Sequence, residues 1–126
     1  MHSSTLDLPD WARVGDKRAE HIQRVTALLN AWAAAMRLPP AEARAFIDAG
    51  VLHDALRDAT ETELREITGD NESPAGLLHG PAAAITLERH GEKRTDLLDA
   101  IRYHTVGSVR WGVVGRALYM ADFLEP

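Results

Sequence analysis

An all-α protein, a compact bundle of about five or six helices, is what the sequence predicts. Three observations carry that expectation. Apolar residues recur at steps of three and four in one segment after another, which places them on one face of a helix. Prolines fall at the boundaries of those segments, where they start and stop helices. Alternating apolar and polar runs, the mark of strands, are almost absent, and so are internal repeats and low-complexity tracts.

Residues 1–14 read as a polar lead-in with little commitment to structure, and residues 15–126 as one domain. From Asp16 to Arg37 the residues Ile22, Val25, Leu29, Trp32 and Met36 form a single apolar stripe. "LPP" at 38–40 ends that helix, because a residue before proline is pushed out of helical geometry. Pro40 can open the next helix, "AEARAFIDAGVLHD", whose buried face is Ala45, Phe46, Ala49 and Leu52. Thr60 and Glu63 have the spacing of a capping box heading a short helix, and "TGDNESPAG" reads as an irregular loop. "HGP" at 79–81 places Pro81 at a helix start, with Gly91 as the stop after "AAAITLERH". A fifth helix is expected from Thr95 to His104, carrying Leu97, Leu98 and Ile101. The last runs from Trp111 to Leu124 and carries Val114, Leu118 and Ala121.

At 126 residues the chain can form one domain around a single core, and its 45% hydrophobic and 26% charged residues are ordinary for a globular protein. A net charge of −5 gives no general attraction to nucleic acid, so an anionic ligand would need local cations or a metal. Without cysteine there are no disulfides, thiolate nucleophiles or cysteine-bound metals, and only His, Asp and Glu remain as metal ligands. "MHSSTLDLPDW" does not read as a signal peptide, and the longest apolar run, "AWAAAM", is too short to span a bilayer. A cytoplasmic location with no membrane or nucleic-acid partner is expected.

Several helices carry a His or Asp beside the apolar face. Arg18 and His21 lie three apart on the side continued by Val25, and His53 and Asp54 end the second helix. His79 sits just before a helix start, where free N–H groups favour an anion, and His104 lies three residues after Ile101. Asp122 lies four after Leu118, at the inner side of the last helix. Each residue alone reads as an ordinary solvent-facing group. His2, His90, Asp48, Asp58 and Asp99 are left with that reading, and "ERHGEKR" is a solvated helix end. Taken together, the imidazoles and carboxylates would suit a divalent metal such as iron, manganese or cobalt. Spacing alone leaves both readings open.

Longer strings narrow the choice. "KRAEHIQRV" (17–25), "AGVLHDALR" (49–57), "LLHGPAAA" (77–84), "AIRYHTVG" (100–107) and "YMADFLEP" (119–126) span nearly the whole chain from Lys17 onward. In order and spacing they resemble the YqeK-like branch of the HD-domain metal-dependent phosphohydrolase superfamily, an all-helical fold. That branch includes the symmetrical bis(5'-nucleosyl)-tetraphosphatases. The resemblance implies iron, or manganese or cobalt in its place, bound by His21, His53, Asp54 and Asp122. It implies nucleotide contacts from Arg18, from Asp54, Ala55, Leu56 and Arg57, from His79, from His104 with Thr105, and from Asp122. The substrate it implies is diadenosine tetraphosphate, split into two ADP. A second metal on His79 and His104, in place of a role as cations, is a less favoured alternative, and a homodimer is compatible with the reading. The branch often has Lys where this sequence has Arg57, and usually continues for several helical turns beyond "EP", with a basic residue there against the nucleotide.

For chemistry, Asp54 is expected to bind the metal and orient the attacking water. Arg18, Arg57 and protonated His79 and His104 are the expected cations, with one of the two histidines protonating the departing ADP. Three alternatives stand beside this: an HD phosphohydrolase acting on another nucleotide, a nucleotide-binding or sensory HD domain without turnover, and a purely structural bundle that binds no stoichiometric metal.

Overall fold

The computed structural model describes residues 7–126; His2 and the rest of the first six residues lie outside the described residues. The elements are α1 (Asp16–Ala35), α2 (Pro40–Leu52), α3 (Glu61–Thr68), α4 (His79–Arg89), α5 (Thr95–Arg102) and α6 (Val113–Leu124), with a 3-10 turn at Ala75–Leu77 leading into α4. No strand occurs among the described residues, and the architecture is all-α. α1 lies against α2, α2 also meets α5 and α6, α5 packs on both α4 and α6, α3 rests on α4, and α6 returns to α1. The described residues contain no helix long and apolar enough to cross a membrane.

The apolar stripes meet in one core. Val25 and Leu29 from α1, Phe46 and Ala49 from α2, Leu97 and Ile101 from α5 and Leu118 from α6 are all buried there. Each such large side chain contributes about 1.5–3 kcal/mol through its removal from water. At Gly50, α1 and α2 approach so closely that a Cβ would fall 2.7 Å from the Thr26 hydroxyl and 2.8 Å from the Thr26 Cα. Only glycine permits that approach. Pro40 opens α2, and the Thr60–Glu63 capping box is complete, with Glu63 N donating to Thr60 Oγ1 at 3.1 Å and Thr60 N donating to Glu63 Oε1 at 3.0 Å.

The structure moves several expected boundaries. α1 stops at Ala35, so Met36 is 52% exposed and Trp32 only half-buried, while Arg37 turns left-handed (φ 54°) before the two prolines. α4 starts at His79, which makes Pro81 its third residue; the amide it lacks is one that a first helical turn leaves unpaired anyway. α5 ends at Arg102, not His104, because the His104 ring takes the Ile101 carbonyl (Nδ1 to O 2.7 Å) that a further turn would need. α6 starts at Val113, since Trp111 is held outside it by an Nε1 hydrogen bond to the Asp99 carbonyl of α5 (3.0 Å). The loop "TGDNESPAG" contains the 3-10 turn in its last part. The later lead-in residues are ordered by the fold: Arg13 N donates to Ala55 O at 2.7 Å, Asp58 N donates to Arg13 O at 3.0 Å, and Trp11 packs on the core.

Candidate metal centre

The buried polar and charged residues among those described are His21, His53, Asp54, His79 and His104, and they form one cluster. Burying that many titratable groups in an apolar core is costly unless they satisfy one another or hold an ion. Each is delivered by a different structural feature. His21 extends the α1 stripe of Ile22 and Val25, and His53 caps the C-terminus of α2 with Asp54 in the turn that follows. His79 is the first residue of α4, His104 lies in the turn after α5, and the half-buried Asp122 is in the last turn of α6.

The two oxygens of Asp54 face different neighbours. Oδ2 lies 3.5 Å from Nε2 of both His21 and His53, and accepts from Arg18 Nη1 at 3.1 Å. Asp122 Oδ1 closes this side, 2.9 Å from His21 Nε2 and 3.5 Å from His53 Nε2. One donor atom from each of His21, His53, Asp54 and Asp122 lies within 4.8 Å of the others. His53 Nδ1 donates to the Gly50 carbonyl at 2.8 Å, which fixes the ring and aims Nε2 at the two carboxylates. That Nε2 is buried without a hydrogen-bond partner. An orphaned imidazole nitrogen between two carboxylates is the donor set of a divalent metal, and these residues fit one.

On the other side, Asp54 Oδ1 lies 3.2 Å from Nε2 of both His79 and His104, and those two nitrogens are 3.1 Å apart. With His104 Nδ1–H engaged on the Ile101 carbonyl, Nε2 of the neutral ring carries the lone pair. The hydrogen in the contact between the rings therefore belongs to His79 Nε2. Asp54, His79 and His104 are a second set of three donors within reach of one ion.

Burial pushes the His104 imidazole below its usual range, and Asp54 offsets that only in part. His104 is thus a neutral ring in the protein alone, and the cationic form expected from the sequence is the one a bound phosphate would favour. Burial also opposes the charge of Asp54, but its close contacts with the His104, His53 and His79 imidazoles hold its carboxyl far below the ordinary carboxylate range. Asp122 is likewise held down against burial, chiefly by His53. Burial pulls His53 downward, yet Asp122, Asp54 and the Gly50 carbonyl outweigh it and leave His53 raised. A proton and a metal would compete for the same nitrogen, so metal affinity decreases as pH is lowered.

A cavity of about 380 Å³ opens over this cluster, and Arg18, Arg57, His79, His104, Thr105 and Asp122 line it. Ala55 and Leu56 do not: both are buried, and Leu56 lines a separate cavity beside Trp11. Sequence reasoning missed four lining residues, Gly76, Tyr119, Phe123 and Pro126. For the last three the available signal was their helical spacing from Asp122. Of the residues set aside, Asp48 pairs with Arg94 (3.0 Å), Asp58 accepts from the Gly15 amide at the head of α1 (2.7 Å), and His90 and Asp99 are exposed.

Similar proteins carry related descriptions. A symmetrical bis(5'-nucleosyl)-tetraphosphatase of Bacillus subtilis (strain 168) is 34% identical over 86 residues, 62% of this chain and 46% of that protein. A probable nicotinate-nucleotide adenylyltransferase/Ap4A hydrolase of Mycoplasma genitalium is 31% identical over 121 residues, 91% of this chain and 34% of that one. The chain therefore spans about half the length, or less, of the curated relatives it matches. Among solved structures, a predicted HD superfamily hydrolase involved in NAD metabolism from Clostridium acetobutylicum superposes with a TM-score of 0.74 at 26% identity. The match covers 90% of this chain and 63% of the other. Residues 18–124 match the family described as HD domain, and that stretch runs from Arg18 past Asp122, taking in every donor of the buried cluster. The chain belongs to the HD domain family.

Proposed function

We propose that this chain is a metal-dependent phosphoanhydride hydrolase that splits diadenosine tetraphosphate symmetrically into two ADP. The observation that carries the reading is the set of buried His21, His53 and Asp54 with half-buried Asp122, opening into a cavity that two arginines also line. The curated relatives described as symmetrical bis(5'-nucleosyl)-tetraphosphatases support the choice of substrate. His21, His53, Asp54 and Asp122 would hold the metal, with iron proposed as its identity. When bound, it would supply a Lewis acid for the phosphoryl oxygens and lower the pKa of water.

The protein's own groups do the rest. Arg18 and Arg57 hold the polyphosphate against the acidic net charge of the chain. Asp54, kept ionised, accepts a hydrogen bond from the attacking water and orients it. Water adds to the phosphorus of one ADP half, and the bond from that phosphorus to the bridging oxygen breaks. The attacking water releases its proton to solvent, and the departing ADP oxygen takes one from His79, whose Nε2 lies 3.2 Å from Asp54 Oδ1 at the cluster; His79 is then reprotonated from solvent.

Elemental analysis of the purified protein, combined with chromatography of the products, tests the reading. Stoichiometric metal and ADP as sole nucleotide product are expected. Formation of AMP with ATP, or no hydrolysis by metal-loaded protein, would overturn it. His53→Ala and Asp54→Ala are expected to lose metal and turnover together with the helical circular dichroism retained.

A further inference from the structure

We infer that Tyr119 and Phe123 form a nucleobase subsite, which makes the cavity selective for nucleotide-terminated polyphosphates over inorganic ones. The inference rests on the functional reading above and deepens it. The two phenylalanines of the chain have opposite surroundings: Phe46 is 2% exposed in the core, whereas Phe123 is 76% exposed and lines the cavity. A lone exposed apolar side chain needs no explanation. This one stands beside Asp122, on the same wall as Tyr119.

Helical spacing makes that wall. Tyr119, Asp122, Phe123 and Pro126 are separated by three, one and three residues, so they follow one side of α6 and the segment leaving it. One wall therefore presents a metal ligand and two aromatic rings. Arg18 and Arg57 line the same cavity, so an elongated ligand with an anionic end and a flat apolar end matches its chemistry. A nucleoside diphosphate moiety is such a ligand, and the Thr105 hydroxyl in the lining is available for its sugar or base edge.

The Tyr119 ring is also held in place. It packs against Trp111 with centroids 5.5 Å apart and planes at 50°, and Trp111 is buried and tethered by Nε1 to the Asp99 carbonyl of α5. Tyr119 Cε1 lies 3.8 Å from where a Cβ at Gly107 would stand. A ring buttressed on two sides and 44% exposed loses little freedom when a base stacks on it.

Calorimetric titration of the metal-loaded protein with ADP and with inorganic pyrophosphate tests the subsite. Wild-type protein is expected to bind ADP more tightly than pyrophosphate. Phe123→Ala should weaken ADP by roughly 5- to 100-fold, the range for one base stacked on an aromatic ring, and leave pyrophosphate unchanged. Phe123→Trp should keep ADP affinity, and Tyr119→Phe, which preserves the buttressed ring, should do the same. Equal affinities for ADP and pyrophosphate in the wild type would overturn the subsite and leave the phosphate site standing. Binding of neither would overturn the functional reading and the subsite with it. Unchanged ADP affinity in Phe123→Ala, with dissociation of a dimer in sedimentation, would assign the exposed ring to a second copy of the chain instead.

Discussion

Asp54 is the residue on which the site turns, because its two oxygens serve two different sets of partners. Oδ2 belongs with His21, His53 and Arg18, and Oδ1 with His79 and His104. Arg18 donates to Oδ2 at this division and also lines the cavity. Arg18→Ala should therefore lower ADP affinity by roughly 10- to 100-fold, the value of a hydrogen bond to a charged group, with metal content unchanged. Arg18→Lys should recover only part of that loss, because an ammonium cannot reproduce the planar fork. Titration with ADP alongside metal analysis decides the matter: loss of metal in Arg18→Ala would make Arg18 a partner of Asp54 and not a phosphate ligand. At this scale residue types were legible in the sequence and protonation states were not. The charge of His104 depends on burial and on Asp54, its tautomer on the Ile101 carbonyl, and all three exist only in the fold.

The elements explain why the rings come so close. At Gly80, α4 crosses the end of α5 with so little clearance that a Cβ would lie 2.9 Å from the Ile101 carbonyl oxygen, 3.0 Å from that of Arg102 and 3.2 Å from His104 Nδ1. Backbone atoms cannot move aside cheaply, so Gly80→Ala is expected to destabilise the fold by roughly 1–3 kcal/mol. It should also separate His79 from His104 and lower turnover. Gly76→Ala, with no atom within 4 Å of the new carbon, is the control and should leave the denaturation midpoint where it is. Equal midpoints for the two variants would mean that α4 and α5 have slack at this crossing. Elements of this kind are legible when their signals are local, as with the Thr60–Glu63 box and the apolar stripe of α1. Their ends are not, where a distant or lateral bond sets them. Trp111 stays outside α6 because of a carbonyl in α5, and no reading of neighbouring residues reveals that. Tyr119 and Phe123 had a local signal in their helical spacing from Asp122, but an aromatic at such spacing is ordinarily core, and the assembled cavity decides between the two.

For the whole molecule, the candidate metal set is a cross-link between distant parts of the chain. His21 belongs to α1, His53 and Asp54 to the end of α2, and Asp122 to α6, so one ion would tie together three helices, the first and the last of them far apart in the chain. An unfolded chain cannot offer these four donors in one place, so metal binding is linked to folding. An ion present at a hundred times its dissociation constant stabilises the folded state by about 2.7 kcal/mol. For a domain of this size that corresponds to a rise in Tm of roughly 10 °C. Removal of metal with a chelator should lower Tm by about that amount, and restoring a divalent ion should reverse the change. His53→Ala, lacking the nitrogen that has no other partner, should melt at the same temperature with and without chelator. The shift should begin to shrink as pH falls towards the ordinary imidazole range from above, because His53 holds its proton more firmly than a free imidazole does and protons occupy its nitrogen first. A wild-type Tm indifferent to chelator at neutral pH, in protein shown to contain metal, would place that metal outside this cluster.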